Sequence, residues 1–271
     1  MSIYFTPLRY PGGKTRMFPE ISLVISEKYD SAPVYVEPFA GGFGLGLKLL
    51  HDNLIERAII NDFDFHIYSF WKSIITPTLF IEFMDLFEKT KIDIDTWKQM
   101  KKIYLNSKDY DISTVGFSTF FLNRCNRSGI LKANPIGGIN QTGKYLIDCR
   151  FNKKRLRVLL LAIHSKREQI TVFNEDALTF IPKIDTELNN AFFFIDPPYV
   201  KAGNQLYESN FTLDMHKSIS DTILHLKNPW VLTYDNSELI KSIYQGCKIS
   251  QKPLKYSLEN KRIEDELFIT K

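Results

Sequence analysis

Ala191-Phe192-Phe193-Phe194-Ile195 is an unbroken apolar run that stops at once on Asp196-Pro197-Pro198-Tyr199. Such a run reads as a buried strand, and two prolines, which have no N–H to give a ladder, are a firm way to end one. The same four residues also form a compact trap for a flat, amine-bearing ring. The carboxylate accepts N–H bonds, and the prolines' fixed φ values allow a main-chain carbonyl to be aimed at the same amine. The tyrosine offers a face for stacking. A plain strand end, with Asp opening a turn, is the alternative reading of the tetrapeptide.

Two earlier segments give that strand its setting. Pro33-Val34-Tyr35-Val36-Glu37 is a short β-branched and aromatic run, followed by Pro38-Phe39-Ala40-Gly41-Gly42-Phe43-Gly44 and a helix start at Leu45 to Leu50. Arg57-Ala58-Ile59-Ile60 is a second strand, ending at Asn61-Asp62. Strand, glycine turn, helix, strand, acid is the first half of a nucleotide-binding α/β sheet. The glycines let backbone approach a ligand closely, and Asp62, 20 residues after Gly42, stands where such a sheet places a carboxylate for ribose hydroxyls. Neither GxxxxGK[ST] nor GxGxxG occurs, which points to a nucleoside cofactor without phosphates, with S-adenosylmethionine the obvious candidate; a purely structural turn is the alternative. Arg9-Tyr10-Pro11-Gly12-Gly13-Lys14 is a second glycine cluster, either a grip for a phosphate or carboxylate or a loop with an exposed lysine.

Between these strands and the later ones the texture changes. About Ile67 to Tyr110 reads as helical, Phe117 to Asn152 as a long polar loop region, and Lys153 to Arg167 as a basic helix. Gln169 to Phe173, Trp230 to Tyr234 and Glu266 to Thr270 read as further strands. The expected organisation is one α/β domain of residues 1–66 and 169–271 carrying an insertion, 67–168, as a second lobe. Trp97 to Glu168 holds 15 Lys/Arg against 4 Asp/Glu, leaving 20 against 27 elsewhere. That asymmetry favours a surface for a polyanion, with a solvated helical face as the alternative. No apolar run reaches membrane-spanning length, and Met1 to Pro11 lacks the apolar stretch of a signal peptide. Three widely spaced cysteines and five histidines without ligand spacing make a reducing cytoplasm and metal-free chemistry the expectation.

In this order the segments resemble the Dam-type DNA adenine-N6 methyltransferases of the D12 class, the class α amino-methyltransferases, over nearly the whole length. Arg9 to Lys14 matches the family's [RK]-aromatic-x-Gly-Gly-Lys, Glu37 to Gly42 its Glu-Pro-Phe-x-Gly-Gly loop, and Asp62 its second-strand acid. Phe121-Leu122-Asn123-Arg124 is similar to the Phe-Leu-x-x-Asn-Arg opening of its target-recognition region, Asn174-Glu175-Asp176 to its third acid, and Asp196 to Tyr199 to its catalytic motif. The resemblance implies a Rossmann-like mixed seven-stranded sheet with helices on both faces and a mainly helical target-recognition insertion. It implies S-adenosylmethionine held by Tyr10, Lys14, Glu37, Phe39, Ala40, Gly41, Gly42, Asp62, Asp176 and Asp196, with Asp196, Pro197, Pro198 and Tyr199 receiving a flipped adenine. Double-stranded DNA is the implied partner, with Arg124, Asn126, Arg127 and Lys132 as DNA-binding candidates. The implied setting is a monomer in a prokaryotic or phage-infected cytoplasm, of the kind found in restriction-modification, with no membrane or metal involved. Two departures stand out. Phe43 occupies the second glycine of the family's FxGxG, and Asn126-Arg127-Ser128-Gly129 replaces the aromatic that many GATC-reading members carry, so the target sequence is not inherited. Rival readings are a methyltransferase for another planar amine (cytosine N4, an RNA base, a protein glutamine), a catalytically silent DNA-binding module, and a nucleotide-dependent oxidoreductase, against which the missing GxGxxG counts.

Overall fold

The computed structural model describes residues 6–10, 13–199, 212–256 and 262–271. Among them, strands β1 (Val34–Glu37), β2 (Arg57–Asn61), β3 (Ile170–Phe173), β4 (Ala191–Ile195), β5 (Trp230–Asp235), β6 (Lys248–Tyr256) and β7 (Arg262–Thr270) form a mixed seven-stranded sheet of order β3-β2-β1-β4-β5-β7-β6. β1 runs parallel to β2 and β4, and β4 parallel to β5; β7 is antiparallel to both β5 and β6. The helices are α1 (Phe18–Lys28), α2 (Gly44–His51), α3 (Phe65–Ile75), α4 (Pro77–Lys89), α5 (Ile94–Leu105), α6 (Ile112–Cys125), α7 (Lys153–Ser165), α8 (Ala177–Glu187), α9 (Leu213–Leu224) and α10 (Glu238–Ile243). Asp64, Asp93, Asp111, Asn152, Asp176 and Thr212 each cap a helix by accepting a backbone N–H in the first turn, which explains why those helices begin where they do.

The all-apolar β4 follows from its place in the sheet. Ala191, Phe193 and Ile195 join a cluster with Phe180, Ile181 and Ile184 of α8 and Ile219 and Ile223 of α9. Phe192 and Phe194 point the other way, where Tyr35 stacks on Phe194 with ring centroids 6.4 Å apart and Tyr29 meets Phe192 edge-on. A parallel strand covered on both faces has no position left for a polar side chain.

The chain divides into two compact units. A helical unit comprises Met1–Thr15, Gly41–Leu47 and Asp64–Val172, and a sheet unit comprises Arg16–Ala40, Lys48–Phe63 and Phe173–Lys271. The helical block thus begins and ends within four residues of the 67–168 insertion read from sequence, and it also takes in two N-terminal segments that the sequence reading left with the sheet. The expected helical stretch from Ile67 to Tyr110 is three helices, broken where Pro77 starts α4 and where Asp93 caps α5. Phe117 to Cys125 is helix rather than the start of a polar loop. Phe117, Phe120, Phe121 and Leu122 are fully or almost fully buried, and that burial outweighs the polar residues interleaved with them. β6 was not evident in the sequence.

Phe120 is the hub of the helical unit's core. It stacks on Phe70 at 5.9 Å and lies 5.4–6.4 Å from Phe83, Phe87, Phe117 and Phe151. Beside it, Gly116 permits close approach of α3, since a Cβ there would come within 2.6 Å of the Ser69 carbonyl oxygen. Phe120→Ala is expected to destabilise the protein by about 3–5 kcal/mol, measured by urea denaturation, because the surrounding rings cannot fill the cavity; a loss below about 1 kcal/mol contradicts this account of the core.

Candidate active site

In the sheet unit, the chain passes from β1 outward to β2, then returns to lay β4 on the other side of β1. The carboxyl ends of β1 and β4 therefore flank the point where strand order reverses, which is where sheets of this kind bind ligands. Glu37-Pro38-Phe39 closes β1 and Asp196 to Tyr199 closes β4. Asp196 is partly buried, and its Oδ1 accepts a hydrogen bond from Thr233 Oγ1 at 2.7 Å. The Tyr199 hydroxyl lies 3.1 Å from that same oxygen and 2.8 Å from Oε1 of Glu266. One phenolic proton thus serves two carboxylates. Burial, then the charges of Asp196 and Glu266, hold the Tyr199 hydroxyl well above the usual tyrosine range, so it remains a donor. Its ring packs 6.1 Å from that of Tyr234, whose hydroxyl meets His216 Nδ1 at 2.7 Å.

The acids of the neighbouring strand ends are set by backbone ties. Glu37 is buried and accepts from the Tyr35 hydroxyl at 2.9 Å. Asn61, fully buried, donates to the carbonyls of Pro38 and Glu175 at 3.1 and 3.0 Å and accepts from the Glu175 N–H at 2.9 Å. Asn174 donates to the carbonyls of Asp62 and Phe63 at 2.7 and 3.0 Å. Two asparagines therefore lock together the turns that carry Phe39, Ala40, Asp62 and Asp176. Asp62 is partly buried, while Asp176 is exposed and caps α8 through the Leu178 N–H at 2.7 Å.

In the helical unit, Tyr10 lies directly on the glycine loop. A Cβ at Gly41 would come within 2.6 Å of the Tyr10 ring, and one at Gly42 within 2.8 Å of the Tyr10 Cβ. Trp71 Nε1 donates to the Gly41 carbonyl at 2.9 Å. Phe43, at the departure from FxGxG, lies in the left-handed region (φ 47°) that favours glycine. Its side chain is buried edge-on against Trp71 at 5.5 Å. Gly46 leaves it room, since a Cβ there would sit 2.0 Å from the Phe43 ring. Lys14 is buried, and Pro11 and Gly12 lie outside the described residues.

Two of the four DNA-binding candidates turn inward. Arg124 donates through Nε and Nη2 to the Arg150 carbonyl and through Nη1 to that of Pro7 at 3.3 Å, and burial, then nearby Arg9, lowers its pKa to about 10. Asn126 is fully buried; it accepts from Trp97 Nε1 at 2.7 Å and donates to the carbonyls of Ile130 and Leu131 at 3.0 and 2.9 Å. Side chains committed in this way hold their own unit together and are poorly placed to reach a base edge. Arg127 and Lys132 are exposed.

Residues 10–258 match the D12 class N6 adenine-specific DNA methyltransferase family. The chain belongs to that family. Its activity is accordingly that of an adenine-specific DNA methyltransferase, and the family implies S-adenosylmethionine as methyl donor and DNA as substrate. Among solved structures the chain is similar to the rRNA methyltransferase aviRa from Streptomyces viridochromogenes (14% identity, TM-score 0.42, covering 96% of this chain and 85% of that one). It is also similar to precorrin-6y C5,15-methyltransferase from Geobacter metallireducens GS-15 (10% identity, TM-score 0.34, 93% and 86% covered). No curated protein matches the chain. No helix among the described residues is long and apolar enough to cross a membrane, and no group of three or more His, Cys, Asp or Glu there is arranged to hold a metal.

The residues present in this family member fit S-adenosylmethionine, a sulfonium cation with two ribose hydroxyls and no phosphate. The sheet unit offers Glu37 and Asp62 at the carboxyl ends of adjacent strands, acceptors for hydroxyls and counter-charges for a cation. Glu266 and Thr233 were missed in the sequence, although an acid leading into the apolar run Leu267-Phe268-Ile269 is a readable sign of a buried carboxylate. Tyr199→Phe removes the shared proton and leaves two carboxylates facing a hydrocarbon. A loss of about 1–3 kcal/mol in urea stability is expected, and a smaller loss for Tyr199→Phe combined with Glu266→Leu, where both partners become apolar. Equal stability of wild type and Tyr199→Phe contradicts the shared hydrogen bond.

Proposed function

We propose that the protein transfers the methyl group of S-adenosylmethionine to N6 of an adenine turned out of duplex DNA. The observation that carries this reading is the bracing of Asp196: its Oδ1 is held by Thr233 and Tyr199 at the carboxyl end of the central strand β4, next to the switch point.

The adenine N6 lone pair is delocalised into the ring, which makes the nitrogen a weak nucleophile. Asp196 and the main-chain carbonyl of Pro197 accept hydrogen bonds from the two N–H groups and favour a more pyramidal nitrogen. Pro197 and Pro198 hold that carbonyl rigid. S-Adenosylmethionine supplies an already activated methyl group, so the protein's task is alignment. The cofactor would supply the methyl carbon and leave as the neutral thioether, and Asp196 would take the surplus N6 proton. Turning the base out of the stack costs a few kcal/mol. Stacking on Tyr199 offsets roughly 1–3 kcal/mol of that cost. In the sheet unit, Glu37, Phe39, Ala40, Asp62 and Asp176 serve the cofactor, with Asp62 on the ribose; in the helical unit, Tyr10, Lys14, Gly41 and Gly42 do so. Arg127 and Lys132 contact DNA, whereas Arg124 and Asn126 hold the structure around them.

Asp196→Ala is expected to lower methyl transfer at least about 1000-fold, or about 4 kcal/mol of transition-state stabilisation, while DNA affinity stays within about twofold. The check is modification-sensitive sequencing of plasmid DNA from expressing cells, paired with DNA binding in vitro. Methyladenine at one short motif in the wild type alone supports the reading. Equal methylation by the variant, or a methylated cytosine or RNA base instead, sinks it. Arg127→Ala and Lys132→Ala are each expected to weaken DNA binding and to reduce the slope of log K against log salt by about 1; unchanged slopes in both remove these residues from the DNA surface.

A further inference from the structure

We propose that Asn123 is a positioning residue for the cofactor, acting through Arg9 and Tyr10, although it lies at the opening of the recognition region. Asn123 sits near the end of α6 with its side chain buried. Its Oδ1 accepts from the Arg9 N–H at 2.7 Å, and its Nδ2 donates to the Arg9 carbonyl at 2.9 Å. One amide thus engages both backbone groups of a single residue, as a neighbouring strand would. The same Nδ2 reaches the Gly129 carbonyl at 2.9 Å, which ties the start of the loop after α6 into the bracket.

The surroundings leave Arg9 little freedom. Gly129 is in the left-handed region (φ 79°), and a Cβ there would lie 2.2 Å from the Arg9 carbonyl oxygen. Arg9 Nη1 donates to the Asn126 carbonyl at 2.9 Å, and Arg124 Nη1 to that of Pro7. The residue after Arg9 is Tyr10, whose side chain lies on Gly41 and Gly42 within van der Waals contact, while Trp71 holds the Gly41 carbonyl. A shift of Arg9 carries Tyr10 with it and uncovers the glycine loop. Asn123, Asn126 and Gly129 therefore act on the cofactor loop through contacts inside the helical unit. This inference rests on the proposed contact of Tyr10, Gly41 and Gly42 with S-adenosylmethionine.

The test is equilibrium binding of S-adenosylmethionine by calorimetry, with DNA affinity measured separately without cofactor. Asn123→Ala is expected to weaken cofactor binding at least tenfold and to leave DNA affinity within twofold. Because Asn123 works through Tyr10, the variant carrying both Asn123→Ala and Tyr10→Ala binds cofactor no more weakly than the worse single variant, whereas general loosening of the fold gives multiplied losses. If Asn123→Ala does not fold, Gly129→Ala, which pushes on the Arg9 carbonyl from the other side, is expected to show the same selective loss. Unchanged cofactor affinity in the folded variant, multiplied losses in the double variant, or lost DNA affinity with normal cofactor binding each overturn the inference. A wild type that binds no S-adenosylmethionine overturns the proposed cofactor site itself, and the inference with it.

Discussion

A strand with no polar residue tolerates no open face, and β4 has none until Asp196. Its alternate side chains need cover from both directions: α8 and α9 provide it on one face, Tyr29 and Tyr35 on the other. Parallel neighbours on both edges leave no backbone group of β4 facing solvent along the paired stretch. The prolines then end the strand, so the first polar side chain to emerge from the deepest part of the sheet is the Asp196 carboxylate. Asp196 thus inherits the rigidity of the core: it stands at the end of an element that cannot shift without disturbing strands on both sides.

That placement creates an electrostatic difficulty. Asp196 is partly buried beside a second, almost fully buried carboxylate, Glu266, and like charges close together in a poorly hydrated site raise one another's cost. The hydroxyls of Thr233 and Tyr199 are the local answer. Thr233 gives Asp196 a donor, and Tyr199 stands between the two acids with a proton that burial and both charges keep in place. The arrangement also limits what Tyr199 is free to do. Its ring can serve as a stacking surface only in the orientation its hydroxyl permits, so the aromatic face and the acidic pair form one device.

Which parts of this were legible in the sequence follows from the range of the interactions. The β4 run, the glycine turn, the strand ending at Asp62 and the basic helix are local patterns, and each is found where the sequence placed it. α6 was misread at Phe117 because its polar residues looked like a loop; their neighbours are buried against α3 and α4, a tertiary fact that no local window contains. Thr233 meets Asp196 through the parallel pairing of β5 with β4, and Glu266 meets Tyr199 through the antiparallel return of β7 beside β5, both pairings across 30 or more residues. The inward turn of Arg124 and Asn126 was equally hidden: both residue types suit a DNA surface, and no local pattern announces their carbonyl partners.

The same contrast bears on how a recognition region is read. In the stretch from Asn123 to Lys132, the amide and cationic side chains look equally suited to a DNA surface in the sequence, yet the structure sorts them by depth. Asn123, Arg124 and Asn126 spend their donors on carbonyls of Arg9, Pro7, Arg150, Ile130 and Leu131, while Arg127 and Lys132 stay exposed. A buried amide that gives up such bonds leaves the partner carbonyls unsatisfied, a penalty of order 1–3 kcal/mol per group. A base edge would have to repay that penalty before any gain in affinity. In the proposed reading DNA contact therefore falls to the exposed Arg127 and Lys132, while Asn123 is committed to the backbone of Arg9.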